Sequence, residues 1–143
     1  MSLYLDTSAL AKWYIAESDS DAFEEFIARR PGAHISRLTV VELRCALARR
    51  RRNREISAAL EADVLHLFET HLRDGLLDLL TMQDEHFAGA LKILEELPRL
   101  PLRTLDALHL AVARSYKVGS IATADRVMAA AGKALKFEIH AFN

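Results

Sequence analysis

Short apolar segments alternate along the chain with longer segments in which apolar residues recur every three or four positions. The apolar segments predict β-strands at residues 2–6, 33–36, 76–80, 118–123 and 135–140. The periodic segments predict helices at residues 8–15, 56–72, 84–97, 104–117 and 125–131. Two more are predicted, one with the apolar stripe Ala22, Phe23, Phe26 and Ile27 and one through Val40, Leu43 and Leu47. Such alternation indicates an α/β fold, here an α/β/α sandwich around a central, mostly parallel sheet.

The composition is that of an ordinary globular protein. Of the 143 residues, 51% are hydrophobic and 27% are charged, and the net charge is −1. No repeat, low-complexity segment or linker divides the chain, so residues 1–143 are expected to form a single domain. Because the net charge is close to zero, the protein has no overall positive electrostatic field that would indicate a nucleic-acid partner.

The compartment is expected to be the cytoplasm. Cys45 is the only cysteine, so no disulfide can form within the chain. No apolar run approaches the ~18 residues that a membrane-spanning helix needs, and the N-terminus lacks the pattern of a secretory signal. We therefore expect neither secretion nor membrane insertion.

Four acidic residues stand where predicted strands end or predicted helices begin: Asp6, Glu42, Asp106 and Asp125. Open α/β sheets bind ligands at the carboxyl ends of their strands, so these side chains are expected to converge at one edge. Helix capping is the structural alternative for each of them, because carboxylates satisfy N–H groups at helix N-termini. For Glu42 the segment Thr39–Glu42 fits a capping box.

Convergence of these carboxylates predicts a metal ion. Two carboxylates about 4 Å apart repel by roughly 4 kcal/mol at an effective dielectric near 20, and a divalent cation removes this repulsion. Oxygen ligands without cysteine or paired histidine favour Mg²⁺ or Mn²⁺. Such an ion suits phosphodiester hydrolysis, because it activates a water molecule and offsets charge on phosphate oxygens.

The acidic motifs resemble, in order and spacing, those of PIN-domain nucleases, and with the chain length they resemble the VapC-type toxins of toxin–antitoxin pairs. The resemblance covers nearly the whole chain and rests on four segments: LYLDTSALAKWY, LTVVELRCAL, TLDALHLA and TADRVMAAA. It implies an endoribonuclease dependent on Mg²⁺ or Mn²⁺, with Asp6, Glu42, Asp106 and Asp125 as the catalytic quartet. Within that quartet Asp6, Asp106 and Asp125 are the expected metal ligands.

The resemblance also implies supporting residues and partners. Thr7, Ser8 and Thr123 match hydroxyl positions beside the family's metal site, with helix capping as the alternative. The implied partners are an RNA substrate, a second copy of the chain in a two-fold dimer, and a small VapB-like antitoxin that presents a basic C-terminal residue to the quartet. Apolar surface between residues 38 and 72 is the expected groove for the antitoxin, and Val127 and Met128 are compatible with a dimer patch.

His109 and an arginine cluster are further candidates. His109 follows Asp106 by three positions and shares its helix face, which favours support of the acidic site or RNA contact; a buried histidine bonded to backbone is the alternative. The cluster can bind RNA phosphates or form a solvated helix end, and it consists of Arg49, Arg50, Arg51, Arg52 and Arg54.

Two other functions compete with the nuclease. A catalytically silent PIN-like binding module would use the acidic pocket to hold a basic peptide, although all four carboxylates are present. A phospho-acceptor receiver domain has a similar fold, but it usually has an acidic pair after its first strand, where Asp6 stands alone. Glycine-rich phosphate loops and nucleophile elbows are absent, which disfavours nucleotide-dependent enzymes and serine hydrolases.

Overall fold

The computed structural model describes residues 2–143 and contains a five-stranded parallel sheet with seven helices. The strands are β1 (Leu3–Leu5), β2 (Ala33–Ser36), β3 (Leu77–Leu80), β4 (Ser120–Thr123) and β5 (Glu138–Ala141). The helices are α1 (Thr7–Tyr14), α2 (Ser20–Ala28), α3 (Arg37–Arg52), α4 (Ala58–Arg73), α5 (Asp84–Glu96), α6 (Thr104–Ser115) and α7 (Arg126–Ala134). The predicted fold class is confirmed, and the sheet is parallel throughout.

The strand order is β3-β2-β1-β4-β5. The sheet therefore grows outward from β1 in one direction through β2 and β3, and in the other through β4 and β5. The connections change direction between β1 and β4, which makes a crevice at the carboxyl ends of these two strands. Asp6 follows β1 directly and Asp125 follows β4, so the topology alone brings these residues to one place.

Alternate side chains of β1 enter two separate cores, one on each face of the sheet. Leu3 and Leu5 pack with residues of α1, α2, α3 and α4. Tyr4, between them, packs on the other face with residues of α5, α6 and α7. A strand whose side chains are buried on both faces is apolar throughout, which explains why β1 lacks the alternation of a half-buried strand.

Several predicted boundaries move in the structure. The strand expected at residues 135–140 is β5 at Glu138–Ala141, because α7 continues to Ala134 and Lys136 turns the chain with a φ of 70°. The capping box expected at Thr39–Glu42 does not form. Ser36 is the N-cap of α3, so Thr39 lies buried in the first turn and Glu42 in the second.

No helix within residues 2–143 has the length and apolar character needed to cross a membrane.

Candidate active site

Three of the four predicted carboxylates line one pocket at the carboxyl edge of the sheet. The pocket has a volume of about 600 Å³, and Glu42, Asp106 and Asp125 form its acidic wall. The other lining residues are Pro101, Arg103, Thr104, Leu105 and Val127. Asp6 does not line this pocket, because it is buried at the end of β1 with only 4% of its surface exposed.

Asp6 is fixed by three hydrogen bonds at the start of α1. Its Oδ1 accepts from the Ser8 hydroxyl at 2.7 Å and from the Ala9 N–H at 2.9 Å, while its Oδ2 accepts from the Thr123 hydroxyl at 2.5 Å. Burial raises the pKa of Asp6, and the positive field of His109 and these hydrogen bonds oppose the rise only in part. Asp6 is therefore the N-cap of α1, the structural alternative for this residue, and both of its oxygens accept hydrogen bonds.

Thr123 and Ser8 connect Asp6 to the segment that carries Asp125. Thr123 Oγ1 accepts from the Asp125 N–H at 3.0 Å, and Ser8 Oγ accepts from the Ala124 N–H at 2.9 Å. Each hydroxyl therefore donates to the Asp6 carboxylate while it accepts from the turn between β4 and α7. These two residues tie the ends of β1 and β4 together, which positions Asp125 relative to Asp6.

Glu42 is held by two donors that both reach the same oxygen. Its Oε1 accepts from the Thr7 hydroxyl at 2.8 Å and contacts His109 Nε2 at 2.5 Å. Partial burial opposes ionisation of Glu42, but the hydrogen bond and the charge of His109, together with the Thr7 hydrogen bond, lower its pKa. Glu42 is therefore ionised at neutral pH, and Thr7 acts on Glu42 rather than as a helix cap.

Asp106 and Asp125 cap helices with one oxygen each. Asp106 Oδ2 accepts from the Arg103 N–H at 3.1 Å, and Asp125 Oδ1 accepts from the Met128 N–H at 2.8 Å. Burial raises the pKa of Asp106, the Arg103 N–H opposes the rise, and the charges of Asp125 and Glu42 add to it. Capping therefore accounts for only half of each carboxylate, and their mutual repulsion favours a cation in the pocket.

The carboxylate oxygens of the pocket suit a hard cation, but among the described residues three carboxylates do not surround a single position there. Within residues 2–143, no group of three or more His, Cys, Asp or Glu side chains is close enough together to hold a metal ion. Mg²⁺ usually binds proteins through one or two carboxylates and keeps several water ligands. Direct ligation by Asp6, Asp106 and Asp125 together stays a prediction.

His109 contacts side chains rather than the backbone. It is 3% exposed; its Nε2 meets Glu42, and its Nδ1 lies 2.6 Å from the Tyr4 hydroxyl. The alternative of a backbone-bonded core histidine is therefore wrong, and His109 supports the acidic site. Tyr4 is a further residue of the site that the sequence analysis does not predict; its one local sign is a hydroxyl group within the buried strand Leu3–Leu5, which does not indicate the partner.

The arginine cluster separates into paired and unpaired members. Arg50 forms an ion pair with Glu17, and Arg51 pairs with Glu61 at 3.1 Å. Arg49 is exposed and lines a cavity of about 240 Å³ with Thr7, Ser8 and Ala124, beside the acidic site. Arg52 and Arg54 are exposed at the end of α3 and beyond it.

Comparison with known proteins gives one family. The model of the PIN domain matches residues 3–134. A search of curated proteins found no match.

Solved structures with the same fold come from several bacteria. VapBC2 from Rickettsia felis was solved bound to a DNA fragment from the VapBC2 promoter. Its TM-score is 0.70 and its sequence identity 14%, with 100% of both chains covered. VapC20 from Mycobacterium tuberculosis, described as a Sarcin-Ricin loop cleaving toxin, has a TM-score of 0.72 and 17% identity over 92% of this chain and 95% of that one. DNA-bound VapBC from Salmonella typhimurium has a TM-score of 0.72 and 19% identity over 100% and 99% of the two chains.

The raised pKa of Asp106 predicts how Asp106→Asn changes stability with pH. The folded state binds the proton of Asp106 more tightly than the unfolded state, so this carboxyl contributes less stability as pH rises above 3.8 through the folded pKa. The variant lacks this loss. We expect its free energy of unfolding, relative to that of the wild type, to increase between pH 4 and pH 8 without added metal.

Urea unfolding at several pH values measures this difference. Asp63→Asn is the matched control, because it removes the same charge from an exposed position on α4. A difference between Asp106→Asn and wild type that stays constant with pH, or decreases as pH rises, would contradict the prediction.

Proposed function

The chain belongs to the PIN domain family, and we propose that it is a metal-dependent endoribonuclease acting in the cytoplasm as the toxin of a type II VapBC-like toxin–antitoxin system. The observation that carries this proposal is the pocket lined by Glu42, Asp106 and Asp125, with Asp6 buried behind them. The names of the similar structures, VapBC complexes and a Sarcin-Ricin loop cleaving toxin, support the same class.

The expected cofactor is Mg²⁺ or Mn²⁺, held by Asp106 and Asp125 with Asp6 as the further predicted ligand. When bound, such an ion polarises a phosphate oxygen and lowers the pKa of a bound water molecule. Asp106 and Asp125 each use one carboxylate oxygen for an N–H group, which leaves the other oxygen for the cation, whereas both oxygens of Asp6 already accept hydrogen bonds.

The chain's own residues orient the attacking water and the substrate. Thr7 and His109 hold Glu42 Oε1, which leaves Oε2 to accept a hydrogen bond from a water molecule in the pocket. Glu42 keeps its charge at neutral pH, since its pKa is lowered. Thr123 and Ser8 maintain the separation between Asp6 and Asp125 through their shared hydrogen bonds.

Asp6→Asn and Asp106→Asn are each expected to abolish metal-dependent RNA cleavage while the protein stays folded. Each change removes one negative charge and little volume, so the fold is preserved and cation affinity is lost. Cleavage of a labelled RNA pool across a Mn²⁺ titration measures the activity, and circular dichroism checks the fold.

Asp63→Asn serves again as the control and should cleave like the wild type. Full activity of either site variant at saturating Mg²⁺ or Mn²⁺ would rule out its assigned role. A wild-type protein that binds RNA or peptide but never cleaves RNA would favour the silent binding module instead.

Within the arginine cluster, Arg49 is the residue best placed to contact RNA phosphate. It stands beside Thr7 and Ser8, whereas Arg50 and Arg51 are engaged with carboxylates. We expect Arg49→Ala to reduce the magnitude of the slope of log affinity against log salt concentration by about 0.7. This is the change expected for the loss of one phosphate contact with single-stranded RNA. Fluorescence anisotropy in the Asp106→Asn background measures binding without cleavage.

Arg44→Ala is the control, because Arg44 is exposed on α3 about 140° around the helix from Arg49. An Arg49→Ala slope equal to that of Arg44→Ala would remove Arg49 from the RNA-binding surface.

A small VapB-like antitoxin is the proposed protein partner. A cavity of about 370 Å³ is lined in part by Leu47, Ile56, Leu60 and Val64, and it offers an apolar groove between α3 and α4 for an amphipathic segment. A basic C-terminal residue of the partner would then pair with the carboxylates of the pocket and compete with the cation.

Expression of this chain alone should arrest growth, and co-expression of the adjacent small reading frame should relieve the arrest. Replacement of the partner's C-terminal basic residue by Glu should weaken inhibition, and more so at low ionic strength, where exposed charges are less screened. Normal growth with soluble wild-type protein, or unchanged inhibition after the charge reversal, would remove support for this partner.

A two-fold dimer is the proposed assembly, and of the two residues considered for its patch Val127 lines the acidic pocket. Met128 is 1% exposed, so it belongs to the core. The exposed apolar stripe lies on α5, where Phe87, Leu91 and Leu94 are 54%, 65% and 38% exposed. These positions follow the i, i+4, i+7 spacing of one helix face.

Leu91→Lys is expected to shift the protein from dimer to monomer. In a two-fold dimer the same patch of both subunits is in contact, so the two introduced lysines would lie close together and repel each other. Light scattering at micromolar concentration measures the mass. Leu76→Lys, a change at another exposed leucine, should leave the mass unchanged, and a wild type that is monomeric at high micromolar concentration would refute the dimer.

A further inference from the structure

A buried series of hydrogen bonds runs from the sheet to Glu42. The Tyr4 hydroxyl lies 3.0 Å from Ser36 Oγ and 2.6 Å from His109 Nδ1. On the other side of the imidazole ring, Nε2 lies 2.5 Å from Glu42 Oε1. Tyr4 is completely buried, and the side chain of His109 is 4% exposed, so water does not compete for these contacts.

The elements that carry this series are far apart in the chain. Tyr4 is in the central strand β1, Ser36 ends β2, His109 is in α6 and Glu42 is in α3. Tyr4 and His109 are separated by 105 positions, and their rings pack edge to face with centroids 5.7 Å apart. The rigid sheet therefore determines the orientation of the histidine ring.

The chemistry of each contact determines where the protons are. Glu42 is ionised, so its carboxylate can only accept hydrogen bonds. The Nε2 of His109 therefore carries a hydrogen and donates a hydrogen bond to Glu42. A tyrosine hydroxyl both donates and accepts, so it satisfies Nδ1 in either protonation state of the ring. Tyr4 thus holds the ring without dictating its charge.

Glu42 needs such support, because a glutamate side chain has three rotatable bonds. Its side chain is 23% exposed and borders the pocket. With Thr7 and His109 both on Oε1, the side chain is restricted, and Oε2 has no hydrogen-bond partner among residues 2–143. The free oxygen is the one available to the pocket.

We propose that Tyr4 is a positioning residue for the reaction: through its contact with His109 Nδ1 it directs Nε2–H to Glu42 Oε1 and so fixes the oxygen that serves the active site. Tyr4 is completely buried and does not line the pocket. The role of Glu42 in this statement rests on the proposed nuclease function, whereas the orientation of His109 does not.

Tyr4→Phe tests the proposal, because it keeps the ring and removes only the hydroxyl. We expect kcat for RNA cleavage to fall about tenfold with KM almost unchanged, since a displaced catalytic group lowers the rate without weakening substrate binding. Tyr14→Phe is the matched control: its hydroxyl also lies 2.6 Å from a histidine Nδ1, that of His71, between α1 and α4. The control should retain wild-type kcat.

A double-mutant cycle tests whether Tyr4 acts through His109. In His109→Leu the imidazole ring is absent, and nothing remains for the Tyr4 hydroxyl to orient. Tyr4→Phe should then change kcat by less than about twofold in that background. His109→Gln should retain more activity than His109→Leu, which has no donor.

NMR of the histidine ring nitrogens provides a readout that is independent of cleavage. The wild type should show a slowly exchanging proton on His109 Nε2, and Tyr4→Phe should lose that signal while Tyr14→Phe retains it.

Three results would overturn the proposal. They are a wild-type kcat in folded Tyr4→Phe, an equal loss of kcat from Tyr4→Phe in the presence and absence of His109, and an unchanged His109 Nε2 signal in Tyr4→Phe. If Tyr4→Phe does not fold, equal loss in His109→Gln and His109→Leu overturns it. If the wild type cleaves no RNA, the proposed function fails, and the NMR comparison alone decides whether Tyr4 orients His109.

Discussion

The geometry of the candidate site depends on one buried carboxylate, that of Asp6. An ionised carboxylate loses its hydration when it is buried, so it must be compensated by donors from the protein. Ser8 and Ala9 supply donors from the start of α1, and Thr123 supplies one from the end of β4. Because these donors come from the carboxyl ends of both β1 and β4, the hydrogen bonds of Asp6 also connect the start of α1 to the end of β4.

Helix capping and the proposed chemistry use different oxygens of the same residues. Asp106 and Asp125 each give one oxygen to an N–H group at a helix start, which is the role that a structural interpretation assigns them. A parallel sheet followed by helices places helix N-termini at its carboxyl edge, so residues suited to capping collect where ligands bind. The fold and the site therefore favour the same residue type at the same positions, and evidence of capping does not count against a role in the site.

The succession of strands and helices was predictable from the sequence because it follows from periodicity, but the strand order and the side-chain contacts were not. The strand Ala33–Ser36 lies where the apolar run predicts it. Glu42 was placed in a capping box because Thr39 and Glu42 have the right spacing, yet α3 begins earlier, after Ser36, and Thr39 is drawn into the core. The direction in which Tyr4 points depends on His109 from a distant helix, and no local pattern in a short apolar strand encodes that contact.

The distribution of charge explains how a protein with a net charge of −1 can present an acidic pocket to a polyanion. At physiological ionic strength charges are screened over about 8 Å, so the neighbours of the pocket matter more than the total. Glu17 and Glu61 engage Arg50 and Arg51 and remove them from the local field, while Arg49 remains beside Thr7 and Ser8. Arg103 is the basic residue that lines the pocket, and the three carboxylates outnumber it, so phosphate is repelled unless a further cation is present. Under the proposed function, an RNA backbone would meet Arg49 at the rim, and its approach to the carboxylates would depend on the metal ion that the proposed reaction requires.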